Sequence, residues 1–233
     1  MSHTQSQYVE LSVADGSTMR AWLVLPAKEE AKAGLMVFQE AFGVNAHIRS
    51  VAERFAQAGY AAIAPELYHR SAPGFQGSYD DSAPAIALAR QLTVEDLEND
   101  IRATHAFIRE RAGDRIVCVG YCMGGRVSFL ANTTVPVKAA VSYYGGGLAD
   151  AVGRAAQSSA PMLFFWGGRD KHITSEHRQK VAEGMQASKK PSVQVTFSDA
   201  DHGFFCDQRS SYNPAAAKLS WDLTHSFLEQ YLK

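Results

Sequence analysis

Cysteine is scarce: the 233 residues hold three, Cys118, Cys122 and Cys206. An odd number with no regular framework argues against a secreted disulfide scaffold. There is no C-x-x-C pair, and Cys118 and Cys122 fall across a strand end and a turn, which is poor spacing for metal ligands. Long apolar runs are also missing. No stretch of about 18 apolar residues exists, so no transmembrane span is expected, and residues 1–10 are polar, without the apolar core of a signal segment. Neither sign of charge prevails, with 23 Lys and Arg against 24 Asp and Glu. Such a balance gives a polyanion or an acidic membrane surface nothing to bind. Internal repeats, low-complexity tracts and linkers are absent as well. The expectations are a cytoplasmic compartment, no nucleic-acid partner and no membrane partner.

What is present is an ordinary apolar fraction, 46%, in a chain whose length suits one α/β domain over residues 1–233. Folding at this size buries roughly 70–75% of the unfolded surface, so no covalent staple is needed. Residues 8–13 and 19–25 alternate around an Asp15-Gly16 turn and predict an antiparallel hairpin. Short apolar runs at 34–38, 60–64, 116–119, 137–143, 161–166 and 193–197 predict strands, those at 60–64 and 116–119 buried. Between them, helical periodicity marks 48–58, 85–92, 94–111, 126–132, 175–187 and 215–232. Gly59 closes the first of these helices, and Thr174 or Ser175 caps the start of another. Residues 66–83 form a long polar loop with Pro73, Gly74 and Gly77, the length of a lid or pocket wall. A hairpin followed by alternating strands and helices predicts a mainly parallel central sheet with helices on both faces. Ligands of such sheets bind beyond the carboxyl ends of the strands. Glu40, Cys122, Asp170 and His202 all fall just after strands.

The stretch Gly120-Tyr121-Cys122-Met123-Gly124 lies between a strand and a helix. It has the G-x-S-x-G nucleophile pattern with Cys122 in the serine position. Glycines two places to either side let strand and helix approach closely. The helix directs its leading N–H groups and positive dipole end at the sulfur, which favours thiolate over thiol. The N–H of Met123 is placed to donate to an acyl oxyanion. A lone cysteine in a glycine-rich turn is more often a small buried residue; two partners downstream change that reading. Cys122, then Asp170, then His202 is the nucleophile–acid–histidine order of α/β-hydrolases. His202 would take the thiol proton and later activate water, while Asp170 would fix the imidazole tautomer. Taken singly, His202 reads as a surface loop histidine and Asp170 as a turn residue. In order, and each after a strand, they read as a triad. Asp199, Asp201 and His172 are competing assignments: Asp199 and Asp201 read as turn formers or as groups that support the triad from behind, and His172 as a residue lining the pocket.

The motifs Gln39-Glu40-Ala41-Phe42-Gly43-Val44-Asn45, Ala64-Pro65-Glu66-Leu67-Tyr68, Gly120-Tyr121-Cys122-Met123-Gly124-Gly125, Tyr143-Tyr144-Gly145, Trp166-Gly167-Gly168-Arg169-Asp170 and His202-Gly203-Phe204 run through most of the chain. In them the sequence resembles the dienelactone hydrolase family. The resemblance implies an α/β-hydrolase fold and the opening of lactones of the carboxymethylenebutenolide kind, with no metal or organic cofactor. It gives Cys122, Asp170 and His202 the triad roles. Glu40 would interact with the resting thiol and aid its activation, and the N–H groups of Ala41 and Met123 would form the oxyanion hole. Phe42 and Tyr144 are further candidate substrate contacts. Family members that act on dienelactones hold the substrate carboxylate with arginines, one of them shortly after the catalytic histidine. Here Cys206 stands at that place, and Arg209, Arg90 and Arg70 are the candidates left. The partner is then a small lactone or ester, and the chain a monomer or weak homodimer.

Two rival readings are a hydrolase of other small esters on the same scaffold, and a non-catalytic thiol binder or redox sensor in which Cys118 or Cys206 resolves an oxidised Cys122.

Overall fold

The computed structural model describes residues 4–27 and 30–233. Strands β1 (Gln5–Ser12), β2 (Thr18–Leu25), β3 (Gly34–Phe38), β4 (Ala61–Pro65), β5 (Ile116–Tyr121), β6 (Ala139–Tyr143), β7 (Met162–Gly167) and β8 (Ser192–Phe197) make an eight-stranded sheet in the order β1-β2-β4-β3-β5-β6-β7-β8. The chain divides into two compact units, Met1–Cys118 and Val119–Lys233.

In the first unit β1 and β2 form the expected antiparallel hairpin, and β2 pairs antiparallel with β4. β3 and β4 pair in parallel. All five residues of β3 and of β4 are buried, as strands covered on both faces require. Helix α1 (Ala46–Gln57) buries Ile48, Val51, Ala52 and Phe55, and its N-cap Asn45 accepts from the Ile48 N–H. Helices α2 (Ala83–Ala89) and α3 (Val94–Ala112) follow; Thr93 caps α3 through the Asp96 N–H.

The stretch 66–83 is less polar than its composition suggests. Leu67 is fully buried, its N–H donates to Gln39 Oε1, and the Tyr68 hydroxyl donates to the Ala41 carbonyl. Arg70 anchors the same stretch to α3. Its guanidinium bonds both carboxylate oxygens of the buried Asp100, at 2.9 and 3.1 Å, and reaches Asp15 at 2.7 Å. His69 Nε2 adds a third contact to Asp100 at 3.1 Å.

In the second unit β6, β7 and β8 pair in parallel. Helix α4 (Met123–Thr134) starts immediately after Cys122, three residues ahead of the periodicity. Its opening glycines hide the amphipathic signal, since Gly124 and Gly125 carry no side chain to count. Two elements were not foreseen, the short helix α5 (Leu148–Ala151) and a 3-10 turn over Val152–Gln157. Neither has a side-chain cap, and together they are too short for a periodic pattern. Helix α6 (Ser175–Ser188) carries the expected Thr174 cap, with His177 completing a capping box. Helix α7 (Pro214–Tyr231) packs on β6, where the Tyr143 hydroxyl meets the Ser220 carbonyl and Thr224 Oγ1. Among the described residues no helix is long and apolar enough to cross a membrane.

Candidate active site

Six buried residues of β5 deliver the chain to Cys122, which has φ 54° and ψ −120°. A side chain with a Cβ rarely adopts such a backbone, and the strain costs on the order of 1–3 kcal/mol. The surroundings impose it. The Cys122 N–H donates to the Tyr143 carbonyl at 3.0 Å, and the Cys122 carbonyl accepts from Gly125 at 2.9 Å and Gly146 at 3.2 Å. Gly120 is required here because a Cβ on it would collide with the Gly124 carbonyl oxygen. Met123 opens α4, where backbone N–H groups point toward the helix start and its positive dipole end.

Asp170 follows β7 and His202 follows β8. The Asp170 carboxylate accepts from the N–H groups of His172 (2.8 Å) and Ile173 (3.0 Å) through Oδ1. Its other oxygen, Oδ2, lies 2.7 Å from His202 Nδ1. His202 Nε2 lies 3.2 Å from Cys122 Sγ. Sulfur, imidazole and carboxylate therefore form one chain of contacts. Their loops are also joined through the main chain, by Gly168 N–H to the Phe197 carbonyl (2.7 Å) and Arg169 N–H to the Ala200 carbonyl (2.9 Å). Gly167 and Gly168 permit this approach, since a Cβ on either would press into the backbone of 198–201. The imidazole sits between two rings in edge contact, Tyr144 at 5.1 Å and His172 at 5.5 Å between centroids.

Burial alone would lower the basicity of His202. The Cys122 sulfur and the Asp170 carboxylate outweigh it and push the pKa up to about 10. Burial would likewise raise Asp170, but the His202 contact and the two backbone N–H groups hold its carboxyl below the ordinary carboxylate range.

The other candidates divide. Asp201 accepts from the adjacent His202 N–H at 2.7 Å, and Asp199 accepts from Asn213 Nδ2 at 3.3 Å, fourteen residues along the chain. His172 is exposed beside His202. Tyr144, a candidate substrate contact, is fully buried and braces the His202 ring. Arg209 borders the His202 loop, its guanidinium so close to Gly203 that a Cβ there would collide with it. Arg70 is engaged in ion pairs with Asp100 and Asp15. Arg90 is exposed at the C-terminus of α2. All three cysteines are free of disulfides, and Cys118 and Cys206 are buried.

In the first unit, Glu40 is fully buried and accepts from the Tyr79 hydroxyl at 3.0 Å, while that hydroxyl accepts from Asn45 Nδ2 at 2.9 Å. Phe42 packs on the Tyr79 ring at 4.5 Å, and Ala41 lies in the same apolar cluster. Sequence reasoning missed Tyr79. It lies 39 positions from Glu40 in a loop without periodicity, so no local pattern marks it.

A mainly parallel sheet with a strained strand–turn–helix crest, and an acid and a histidine on later strand ends, defines an α/β-hydrolase. The particular family follows from comparison with known proteins. The dienelactone hydrolase family model matches residues 19–232, and the chain belongs to that family. It is 33% identical to the carboxymethylenebutenolidase of Pseudomonas putida over 226 residues, 94% of each chain. A carboxymethylenebutenolidase of Pseudomonas sp. strain P51 is 29% identical, covering 91% of this chain and 90% of that one. A crystal structure from Klebsiella pneumoniae that carries the dienelactone hydrolase name superposes with a TM-score of 0.90 at 28% identity, over 98% of this chain and 100% of that one. A dienelactone hydrolase-like promiscuous phosphotriesterase from metagenomic libraries shares the fold, with a TM-score of 0.86 at 21% identity and 98% coverage of both chains. The protein is accordingly a hydrolase of the ester- and lactone-cleaving type.

Proposed function

We propose that the protein is a cysteine-dependent hydrolase that opens lactones or activated esters through an acyl-thioester. The observation that carries this is the contact chain Cys122 Sγ–His202 Nε2 (3.2 Å) and His202 Nδ1–Asp170 Oδ2 (2.7 Å) behind a strained crest. His202 holds the proton, and the sulfur attacks as thiolate. The S–C bond forms, the carbonyl π pair moves to oxygen, and the Met123 N–H steadies that oxyanion. The C–O bond then breaks, and the departing oxygen takes the proton from His202 Nε2. In the second half neutral His202 removes a proton from water, the hydroxyl adds to the acyl carbon, and the C–S bond breaks. Asp170 keeps Nδ1 protonated throughout.

Thiolate is itself a good leaving group. A tetrahedral intermediate with a poor alkoxide or amide therefore reverts by expelling Cys122. Enol lactones and activated esters go forward and amides do not.

The family resemblance assigns Glu40 to activation of the thiol and Ala41 to the oxyanion hole, and Arg209 is the arginine that borders the His202 loop. The substrate is a small lactone or ester, the dienelactone class first among those to assay.

The test is steady-state turnover of a dienelactone and of an activated ester by the wild type, Cys122→Ala and His202→Ala, with mass spectrometry of the quenched reaction. Both variants should lose turnover, and the wild type should carry an acyl adduct on Cys122. Unchanged rates in both variants reject the reading.

A further inference from the structure

We infer that the edge strand β8 pairs antiparallel with the β8 of a second copy of this chain, so that the sheet continues from one copy into the other about a two-fold axis.

β8 stands at one end of the sheet order and has β7 as its single neighbour. The Met162 N–H donates to the Pro191 carbonyl and the Gly168 N–H to the Phe197 carbonyl. Backbone groups alternate sides along a strand, so the odd-numbered residues of β8 face β7, and Ser192, Gln194 and Thr196 face outward. Among the described residues nothing bonds the outward N–H and C=O groups of these three. The strand has six residues, none of them buried, and Val193 is 47% exposed.

A free edge is usually guarded by a charged side chain, a proline or a bulge within the strand. Ser192–Phe197 holds no charged residue and no proline. Its register against β7 runs unbroken from Met162–Ser192 to Gly167–Phe197, which leaves no bulge. Such an edge is a template for another strand.

The flanks select the partner. Lys189 and Lys190 precede the strand, and Asp199 and Asp201 follow it. None of these four has an ion-pair partner among the described residues. Antiparallel self-pairing brings the lysines of each copy to the aspartates of the other, at both ends of the junction. Parallel pairing would stack like charges instead. A two-fold contact has to be self-complementary, and β8 with its flanks meets that condition.

The outward-facing set also fixes the register. Residues that exchange hydrogen bonds across an antiparallel junction must both face it. Gln194 then stands opposite Thr196 of the second copy, Val195 lies on the axis opposite itself, and Val193 lies opposite Phe197. The three apolar side chains of the strand share one face, and that face continues across the junction, with Lys189 opposite Asp201. A shift of one residue would ask groups already bonded to β7 to bond again. A shift of two toward the start of the strand would leave Phe197 opposite Pro191, outside the strand.

Sedimentation velocity of the full chain over a range of concentrations measures the association. The wild type should form a concentration-dependent dimer. Val195→Lys sets two ammonium groups face to face on the axis and should leave a folded monomer, the fold checked by circular dichroism. Lys189→Glu/Lys190→Glu changes residues outside the strand. It should raise the dissociation constant about tenfold at low salt, and less at high salt. Val195→Cys should give an intermolecular disulfide on mild oxidation, mapped by mass spectrometry to residue 195 of both copies, because directly opposed Cβ atoms lie about 4.5–5.5 Å apart. Val193→Cys, offset from its own copy, should not link to itself.

A wild type that stays monomeric at every concentration overturns the inference, whether the edge remains free or takes a foreign strand. So does a dimer that both charge variants leave intact, which would place the contact on another face. So does a dimer in which residue 195 does not link to itself. If Val195→Lys does not fold, Lys189→Glu/Lys190→Glu and Val195→Cys decide.

Discussion

The Nε2 of His202 stands 3.2 Å from the sulfur of Cys122, and this neighbour is the leading cause that raises the imidazole's affinity for its proton.

Protonated His202 consequently stabilises the fold. Its folded pKa, about 10, exceeds the unfolded value of 6.5. The contribution is complete below pH 6.5 and is lost as pH rises through about 10. Urea denaturation of the wild type and His202→Gln across that range should show a stability gap that narrows with rising pH. A gap that stays constant would refute the assignment.

Asp170→Asn should keep the fold and lower kcat by about 10³–10⁴, because the amide presents the wrong partner to Nδ1. Circular dichroism with ester turnover checks both halves. In the wild type the low Asp170 pKa stabilises the fold above the ordinary carboxylate range, and this is lost as pH falls through the depressed value.

Gly120→Ala should destabilise by about 3 kcal/mol or more, since the added methyl meets the Gly124 carbonyl and neither backbone can yield. Chemical denaturation measures it. A loss below about 1 kcal/mol would mean that the crest relaxes.

Arg70→Ala leaves Asp100 buried beside His69 alone and should cost about 3 kcal/mol. Much of this should be recovered in Arg70→Ala/Asp100→Asn, a coupling expected of direct contacts. The kcat/KM ratio of an anionic to a neutral lactone should not move. A selective loss of the anionic substrate would make Arg70 a substrate ligand.

Tyr79→Phe removes the hydroxyl donor to buried Glu40 and should destabilise by about 1.5–3 kcal/mol. Tyr79→Phe/Glu40→Gln should fall short of the sum of the single effects. Strict additivity would deny the contact.

The inner strands were legible because parallel-sheet positions buried on both faces read as unbroken apolar runs: β3 falls on the predicted residues and β7 within one residue of them. β8, with no buried residue, was legible within one residue from the alternation of Val193, Val195 and Phe197 with polar residues. The start of α4 was not, since its first turn is glycine where a hydrophobic face would be. Helix α5 is only four residues long. At the site, the order Cys122, Asp170, His202 was readable because each residue follows a strand. The pairing of Arg70 was not. Which arginine is engaged depends on Asp15 and Asp100, far along the chain in opposite directions, and composition carries no trace of those pairings. Tyr79 was invisible for the same reason.

The stitching of 168–169 to 197–200 by peptide groups has a mechanical result. Carboxylate and ring are carried on what amounts to a single plate. Thermal breathing there shifts both against the thiol together, and a side-chain replacement that spares Gly167 and Gly168 leaves the seam intact. Acid–base alignment then persists through any excursion that parts the imidazole from sulfur.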